Sequence, residues 1–264
     1  MIHLCSNNLR QDLIEYIGTD YYRCLYLYID LIKYGCQSEY TKSWQLIEDG
    51  EVKAIMLSYH SALHIFAKQQ NFKATELACF IKDLNPSIIC ADANTIKHLA
   101  PFLLTEGYEM EIGYIGKYDG DLHMGGGDVE KASMKDVTEI ATLLYEDDDI
   151  GASYTFDDLV SQIRERLSQG FVRSFVIKQD AKVVAHLGTG AEIDKLCTIC
   201  YVITDPNYRG KGLSSALFCY ACQQLESEGK EIFSVYYPEN SRRLHHKLGF
   251  VDCCEFGKLF KNIQ

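Results

Sequence analysis

The chain has 264 residues, 47% of them hydrophobic, and 37 acidic against 26 basic residues give a formal net charge of −11. That is enough apolar material for two modest cores or one large one, which sets general disorder aside. The acidic balance excludes a broad nucleic-acid surface and favours a neutral or cationic substrate. No run reaches the roughly 18 apolar residues of a membrane span.

The start, Met1-Ile2-His3-Leu4, shows no basic-then-apolar leader pattern, from which a cytoplasmic location is expected. Tyr21 to Asp30 is rich in aromatics, and Leu25, Tyr28, Ile29 and Ile32 fit one apolar helix face, so a core helix is the better reading than a pocket lining. Ser43 to Ala54 reads as a hairpin around Asp49-Gly50. It parallels Ser174 to Ala185, where strands turn at Asp180-Ala181 and return with the same Val-x-Ala spacing. Glu106-Gly107-Tyr108 likewise parallels Leu248-Gly249-Phe250, and Gly116-Lys117 parallels Gly257-Lys258. The first half lacks any glycine-rich loop between Ala67 and Leu84. Tyr118 to Asp128, with three successive glycines, reads as a flexible joint. Two domains are expected, over 1–120 and 128–264.

After the joint, Val129 to Ala132 reads as a strand, and Ser133-x-x-Asp136 as a capping box before Val137, Ile140, Ala141 and Leu144. The acidic run Glu146 to Asp149 follows. Thr155-x-x-Asp158 caps a second helix carrying Leu159, Ile163 and Leu167. Phe171 to Ile177, Lys182 to Gly190 and Leu196 to Thr204 read as strands. A helix is expected from Gly212 to Gly229, then a strand Glu231 to Tyr236, a short helix Ser241 to Leu248 and one last strand or two over Phe250 to Phe260. The order is that of a mixed α/β fold.

Of the eleven cysteines, Cys197-x-x-Cys200 and Cys219-x-x-Cys222 have zinc-ribbon spacing. Both pairs sit in apolar runs, and strand residues three apart point to opposite faces, so buried thiols are expected instead of a metal.

The segment Val202-Ile203-Thr204-Asp205-Pro206-Asn207-Tyr208-Arg209-Gly210-Lys211-Gly212-Leu213-Ser214 leaves a strand and opens a helix through a basic glycine turn. First-turn amides without intrahelical partners, the helix dipole and two cations make this a candidate anion site, the alternative being a basic strand–helix turn with no ligand. It is not a P-loop, because Gly212 follows Lys211 and Asp205 replaces the leading glycine. It is not a dinucleotide fingerprint either, because Ser215 stands where a third glycine belongs.

Arg209-x-x-Gly212-x-Ser214, preceded by Pro206-Asn207-Tyr208, resembles motif A of the GNAT superfamily of N-acetyltransferases. Leu244-His245-His246-Lys247-Leu248-Gly249-Phe250 is similar to that family's closing Leu-Tyr-x-Lys-Leu-Gly-Phe. The resemblance covers about half the chain, while the first half resembles the degenerate copy of tandem GNAT proteins. It implies a GNAT-type fold: a mostly antiparallel central sheet flanked by helices, in two tandem copies. It further implies acetyl-CoA as donor, its pyrophosphate on backbone amides of Arg209, Gly210, Lys211, Gly212, Leu213 and Ser214. Its pantetheine arm would lie along Val202, Ile203 and Thr204. The acceptor would be the amine of a small molecule or peptide, attacking the thioester directly.

Departures from the pattern concern proton handling. Ser214 stands where Gly or Ala is usual. Pro238 takes the slot of a frequent cofactor-binding Asn, while Ser241 keeps the small residue expected beside the cofactor. His245 replaces the tyrosine that protonates the leaving thiolate in many relatives, and a histidine near its ordinary pKa can serve as that acid; the bland reading is a solvent-facing helix histidine. The strand into motif A carries no carboxylate, which leaves Glu192 or His186 as candidate bases. The acidic run at 146–149 either attracts a cationic amine or is simply solvated. Two other readings are a non-catalytic acyl-CoA-binding module and an aminoacyltransferase using charged tRNA, against which the net charge counts.

Overall fold

The computed structural model describes residues 1–120, 128–151, 154–170, 172–237 and 239–261. Most of the glycine joint read at 118–128, the residue Phe171 and Pro238 lie outside the described residues. The first half runs β1 (Ile2–Leu4), α1 (Arg10–Ile17), α2 (Leu25–Tyr34), β2 (Thr41–Glu48), β3 (Glu51–Tyr59), β4 (Ala62–Phe66), α3 (Ala74–Leu84), β5 (Ile88–Asp92), α4 (Ala93–Leu103) and β6 (Glu109–Tyr118). The second runs β7 (Val129–Lys131), α5 (Val137–Tyr145), α6 (Asp148–Gly151), α7 (Phe156–Gln169), β8 (Ser174–Gln179), β9 (Lys182–Ile193), β10 (Leu196–Thr204), α8 (Leu213–Ser227), β11 (Glu231–Tyr236), α9 (Glu239–Lys247) and β12 (Phe250–Phe260).

The chain forms two compact units. One holds Met1–Ile115 and the described chain end from Cys253; the other holds Gly116–Asp252. Within the first, β1 to β4 pair antiparallel in sequence order, and β4 pairs parallel with β5. Residues 256–260 of β12 add an antiparallel strand to β5. Within the second, β7 to β10 pair antiparallel in order, and β10 pairs parallel with β11. Both units thus have the mixed, mostly antiparallel architecture expected, with the same pairing order.

Local sequence explains the shared hairpins. Asp49 and Gly50 turn β2 into β3 with φ of 52° and 79°; Asp180 and Ala181 turn β8 into β9 with φ of 50° and 64°. Positive φ at both central residues matches the right-handed twist of the flanking strands. The Ser133 capping box forms as read, and the Thr155 hydroxyl accepts from the Asp158 amide.

In the second unit, apolar residues collect on both faces of the sheet. Leu217, Phe218, Ala221 and Leu225 of α8 pack on Phe175, Leu187, Cys197 and Ile199. Ile140 and Leu144 of α5, with Leu159 and Ile163 of α7, pack with Val176, Val183 and Ile203. Cys197, Cys219 and Cys222 are buried free thiols. Burial pushes the Cys222 thiol well above its ordinary range.

Candidate functional site

β10 carries a local fault that shapes the site. Its register with β9 shifts between Cys200 and Ile203, and Tyr201 has φ of 51°, unusual for a bulky residue. An extra residue in one strand flips which face later side chains reach. Before the bulge, Cys197 and Ile199 face α8; after it, Tyr201 and Ile203 face α5 and α7, and Val202 faces α8. Parallel pairing with β11 runs from Leu196–Glu231 to Ile199–Ser234 and goes no further, although β10 continues to Thr204. Paired backbone therefore ends on that side just where the bulge begins.

His186 holds the bulge in place. Its Nδ1–H donates to the Tyr201 carbonyl at 2.9 Å, and its Nε2 accepts from the Ser174 hydroxyl at 3.1 Å. The ring is 2% exposed, and burial lowers its pKa to about 4. Neutral imidazole with one fixed tautomer suits a latch better than a base.

Beyond the bulge, Asp205 caps the turn at Pro206 by accepting from the Asn207 amide, and Lys182 pairs with it at 3.1 Å. Gly210 and Gly212 take φ of 79° and 77°, with open space where a Cβ would project. Gly212 is the N-cap of α8 and, having no side chain, supplies no cap hydrogen bond. The first-turn amides of α8 are thus left for an external acceptor. The Ser214 hydroxyl bonds the Thr204 hydroxyl at 2.8 Å, tying the helix start to the strand end. The Arg209 Nε–H donates to the Thr204 carbonyl at 3.1 Å, its guanidinium lies 3.6 Å from Asp147, and Lys211 sits over the Tyr208 ring. This open, basic, uncapped helix start fits a pyrophosphate. Leu213 and Val202 pack on the α8-side core and Ile203 on the opposite one, so their side chains serve packing and only their backbone is left for a ligand. Asp147 of the acidic run faces Arg209, which places it beside the anion site.

The two acid–base candidates fare differently from expectation. His245 is not solvent-facing: it is 4% exposed, stacked on Tyr236 with ring centroids 4.2 Å apart, and edge-on to Phe218 and Phe250. Its Nδ1–H donates to the Ser241 carbonyl at 2.7 Å, and its Nε2 accepts from the Ser234 hydroxyl at 2.9 Å. Burial lowers its pKa to about 4. Both nitrogens are engaged, which leaves no proton aimed at a thiolate. The neighbouring His246 is the exposed one, 2.8 Å from Asp252. Glu192 lies opposite Cys197, whereas Thr204 lies opposite Ala185. Seven residues of strand separate them, roughly 23 Å. Glu192 is instead bound to Arg173 at 2.6 Å and Lys230 at 3.3 Å, and the Thr189 hydroxyl donates to it. The base role drawn from sequence is corrected on that geometry. Ser241 acts through its carbonyl, with its hydroxyl 3.4 Å from the same imidazole.

The bulge and its latch were missed by sequence reasoning. The available signal was Tyr201 itself, one aromatic in the otherwise small and aliphatic run Leu196 to Thr204.

With the uncapped glycine turn, the bulged strand and the unpaired strand end in place, comparison with known proteins bears on the second half of the chain. Residues 135–250 match the model of the acetyltransferase (GNAT) family. This chain carries a GNAT domain. Solved structures extend the likeness of fold over the whole chain. A GCN5-related N-acetyltransferase-like protein from Streptococcus suis 89/1591 is 14% identical, with 97% of this chain and 99% of that one covered at a TM-score of 0.65. A GNAT-family acetyltransferase from Colwellia psychrerythraea is 12% identical, with 99% and 100% covered at 0.61. A tandem GNAT protein from the clavulanic acid biosynthesis pathway is 9% identical, with 98% and 97% covered at 0.57. At these identities the likeness speaks to fold alone. No curated protein matches. Among the described residues, no helix is long and apolar enough to cross a membrane.

Proposed function

We propose that the GNAT domain moves an acetyl group from acetyl-CoA to the amine of a small molecule or peptide by direct attack. The observation that carries this reading is the uncapped start of α8 behind Gly210 and Gly212. Amides of Arg209 to Ser214 would hold the pyrophosphate, with Arg209 and Lys211 supplying charge. Backbone of Val202 to Thr204, beyond the last pair with β11, would align the pantetheine arm. The bound group supplies a thioester-activated acetyl. The chain's own contribution is then positioning and exclusion of water, because neither His245 nor Glu192 is placed to move a proton. A thiolate of ordinary pKa near about 8.5 can depart without a dedicated acid.

Thiol release from acetyl-CoA, followed with a panel of amines, tests the reading; release that depends on an acceptor is expected. A second reading, an acyl-CoA-binding module without turnover, is favoured by the engagement of both His245 nitrogens. Tight binding with no release from any amine would select it.

A further inference from the structure

Register shows what the bulge in β10 accomplishes. Cys200 lies opposite Gly188 and Ile203 opposite His186, so Tyr201 and Val202 together face the single residue Leu187. In an unbroken ladder counted on from Cys200, Thr204 would stand opposite Val184. In the structure Thr204 lies opposite Ala185, and it is the Asp205 amide that donates to the Val184 carbonyl, at 2.9 Å. Successive amides of a strand point to opposite edges. The extra residue thus turns the Thr204 amide away from β9, toward the edge where pairing with β11 has ended at Ile199–Ser234. A donor is left at the open strand end that a regular strand would spend inside the sheet.

The bulge has to be held. Tyr201 sits at φ 51°, a region few bulky residues adopt, and a bulge leaves the extra residue without its ladder partner. His186 supplies a substitute from the neighbouring strand. The Tyr201 carbonyl can only accept, so the Nδ1 that lies 2.9 Å from it carries the proton, and Nε2 accepts from the Ser174 hydroxyl at 3.1 Å. Ser174 and His186 are both buried, away from competing water. Gly188 leaves space for the ring: a Cβ there would lie 3.3 Å from the imidazole Cε1. Ser174 therefore fixes the tautomer, the tautomer fixes the donor, and the donor fixes the carbonyl of the strained residue.

We propose that His186 is a positioning residue for the cofactor arm: by holding the Tyr201 carbonyl it keeps β10 bulged, and so keeps the Thr204 amide free for the pantetheine and thioester end of acetyl-CoA. This rests on the acetyl-CoA reading for the identity of the ligand. The start of α8 takes its shape from Gly210, Gly212 and the Asp205 cap instead, so the pyrophosphate place does not depend on the latch.

ADP carries a pyrophosphate without the arm, so a change in the ratio of acetyl-CoA to ADP affinity between variants reads the arm. Both ligands are titrated calorimetrically into the full chain, as the parent, as His186→Leu, which fills the buried site without a donor, and as His186→Asn, whose side-chain amide can replace the Nδ1–H. His186→Leu is expected to lower the ratio roughly 5- to 10-fold with ADP affinity unchanged, the equivalent of about one aligned hydrogen bond. His186→Asn should keep most of the ratio. An unchanged ratio in His186→Leu overturns the proposal. So does equal weakening of both ligands, which would mark the histidine as a support of the fold alone, or an equal loss in both variants. Should His186→Leu not fold, Ser174→Ala, which releases the tautomer, must lower the ratio by about 2-fold or more, or the proposal falls. A parent that binds neither ligand sinks the acetyl-CoA reading and this inference with it. A parent that binds acetyl-CoA, beside a His186→Leu variant that binds it equally well, sinks the inference only.

Discussion

Mild acid is expected to loosen the GNAT domain through two histidines that its fold keeps neutral. His186 and His245 are 2% and 4% exposed, and burial lowers each from the ordinary 6.5 to about 4. The folded state therefore binds fewer protons than the unfolded chain, so their contribution is whole above pH 6.5 and is lost as pH falls toward 4. At about pH 5 each should have surrendered about 2 kcal/mol, together about 4 kcal/mol, a large part of a typical domain's stability. Asp136, Asp205, Asp252 and Glu228 have carboxyls held low by their partners, so their contributions fall away only below about pH 5. Urea unfolding at about pH 7.5 and about pH 5, for the parent and for His186→Asn and His245→Asn, measures the effect; each variant should lose about half of the pH dependence. Equal stability of the parent at both pH values, or an undiminished pH dependence in both variants, would refute the reasoning.

Three further outcomes follow from particular contacts. Ala181→Gly relieves a non-glycine residue at φ 64°, where the first hairpin already has Gly50, and should stabilise by about 1 kcal/mol in thermal unfolding; a loss of stability would mean the turn is not strained. Gly116→Ala would drive a Cβ into the Tyr236 hydroxyl and should cost about 1–3 kcal/mol by denaturant midpoint. Glu192→Gln should destabilise by about 2–3 kcal/mol, because it leaves Arg173 and Lys230 facing a neutral amide. The pH profile of thiol release should keep its shape in that variant, and a lost acidic limb with the fold intact would restore Glu192 as a base.

Much of this architecture was legible because local rules and tertiary context agree in it. Leu196 to Thr204 and Glu231 to Tyr236 were read to the residue, and the Ser133 and Thr155 caps formed where the side-chain spacing put them. The glycine turn was readable because φ near 80° at Gly210 and Gly212 requires glycine. What sequence hid depends on three-dimensional neighbours. Adjacent histidines at 245 and 246 look alike in a helix, yet one turns inward between Phe218, Tyr236 and Phe250 while the other faces Asp252. Glu192 is a candidate base in the sequence because it lies just ahead of the strand that enters the glycine turn, but antiparallel pairing puts it and Thr204 at opposite ends. Phe250 to Phe260 reads as one strand or two, and nothing in it signals that residues from Cys253 of the single β12 group with the first unit.

The start of α8 carries the proposed acetyl-CoA site. Calorimetric titration of acetyl-CoA into the parent and into an Arg209→Glu/Gly212→Glu variant tests it most directly. Saturable binding in the parent, lost in a variant that unfolds with the parent's cooperativity, is the predicted result. A well-folded parent that binds no acetyl-CoA, or a variant that binds it as the parent does, would contradict the account and leave Arg209 to Gly212 as an ordinary basic turn.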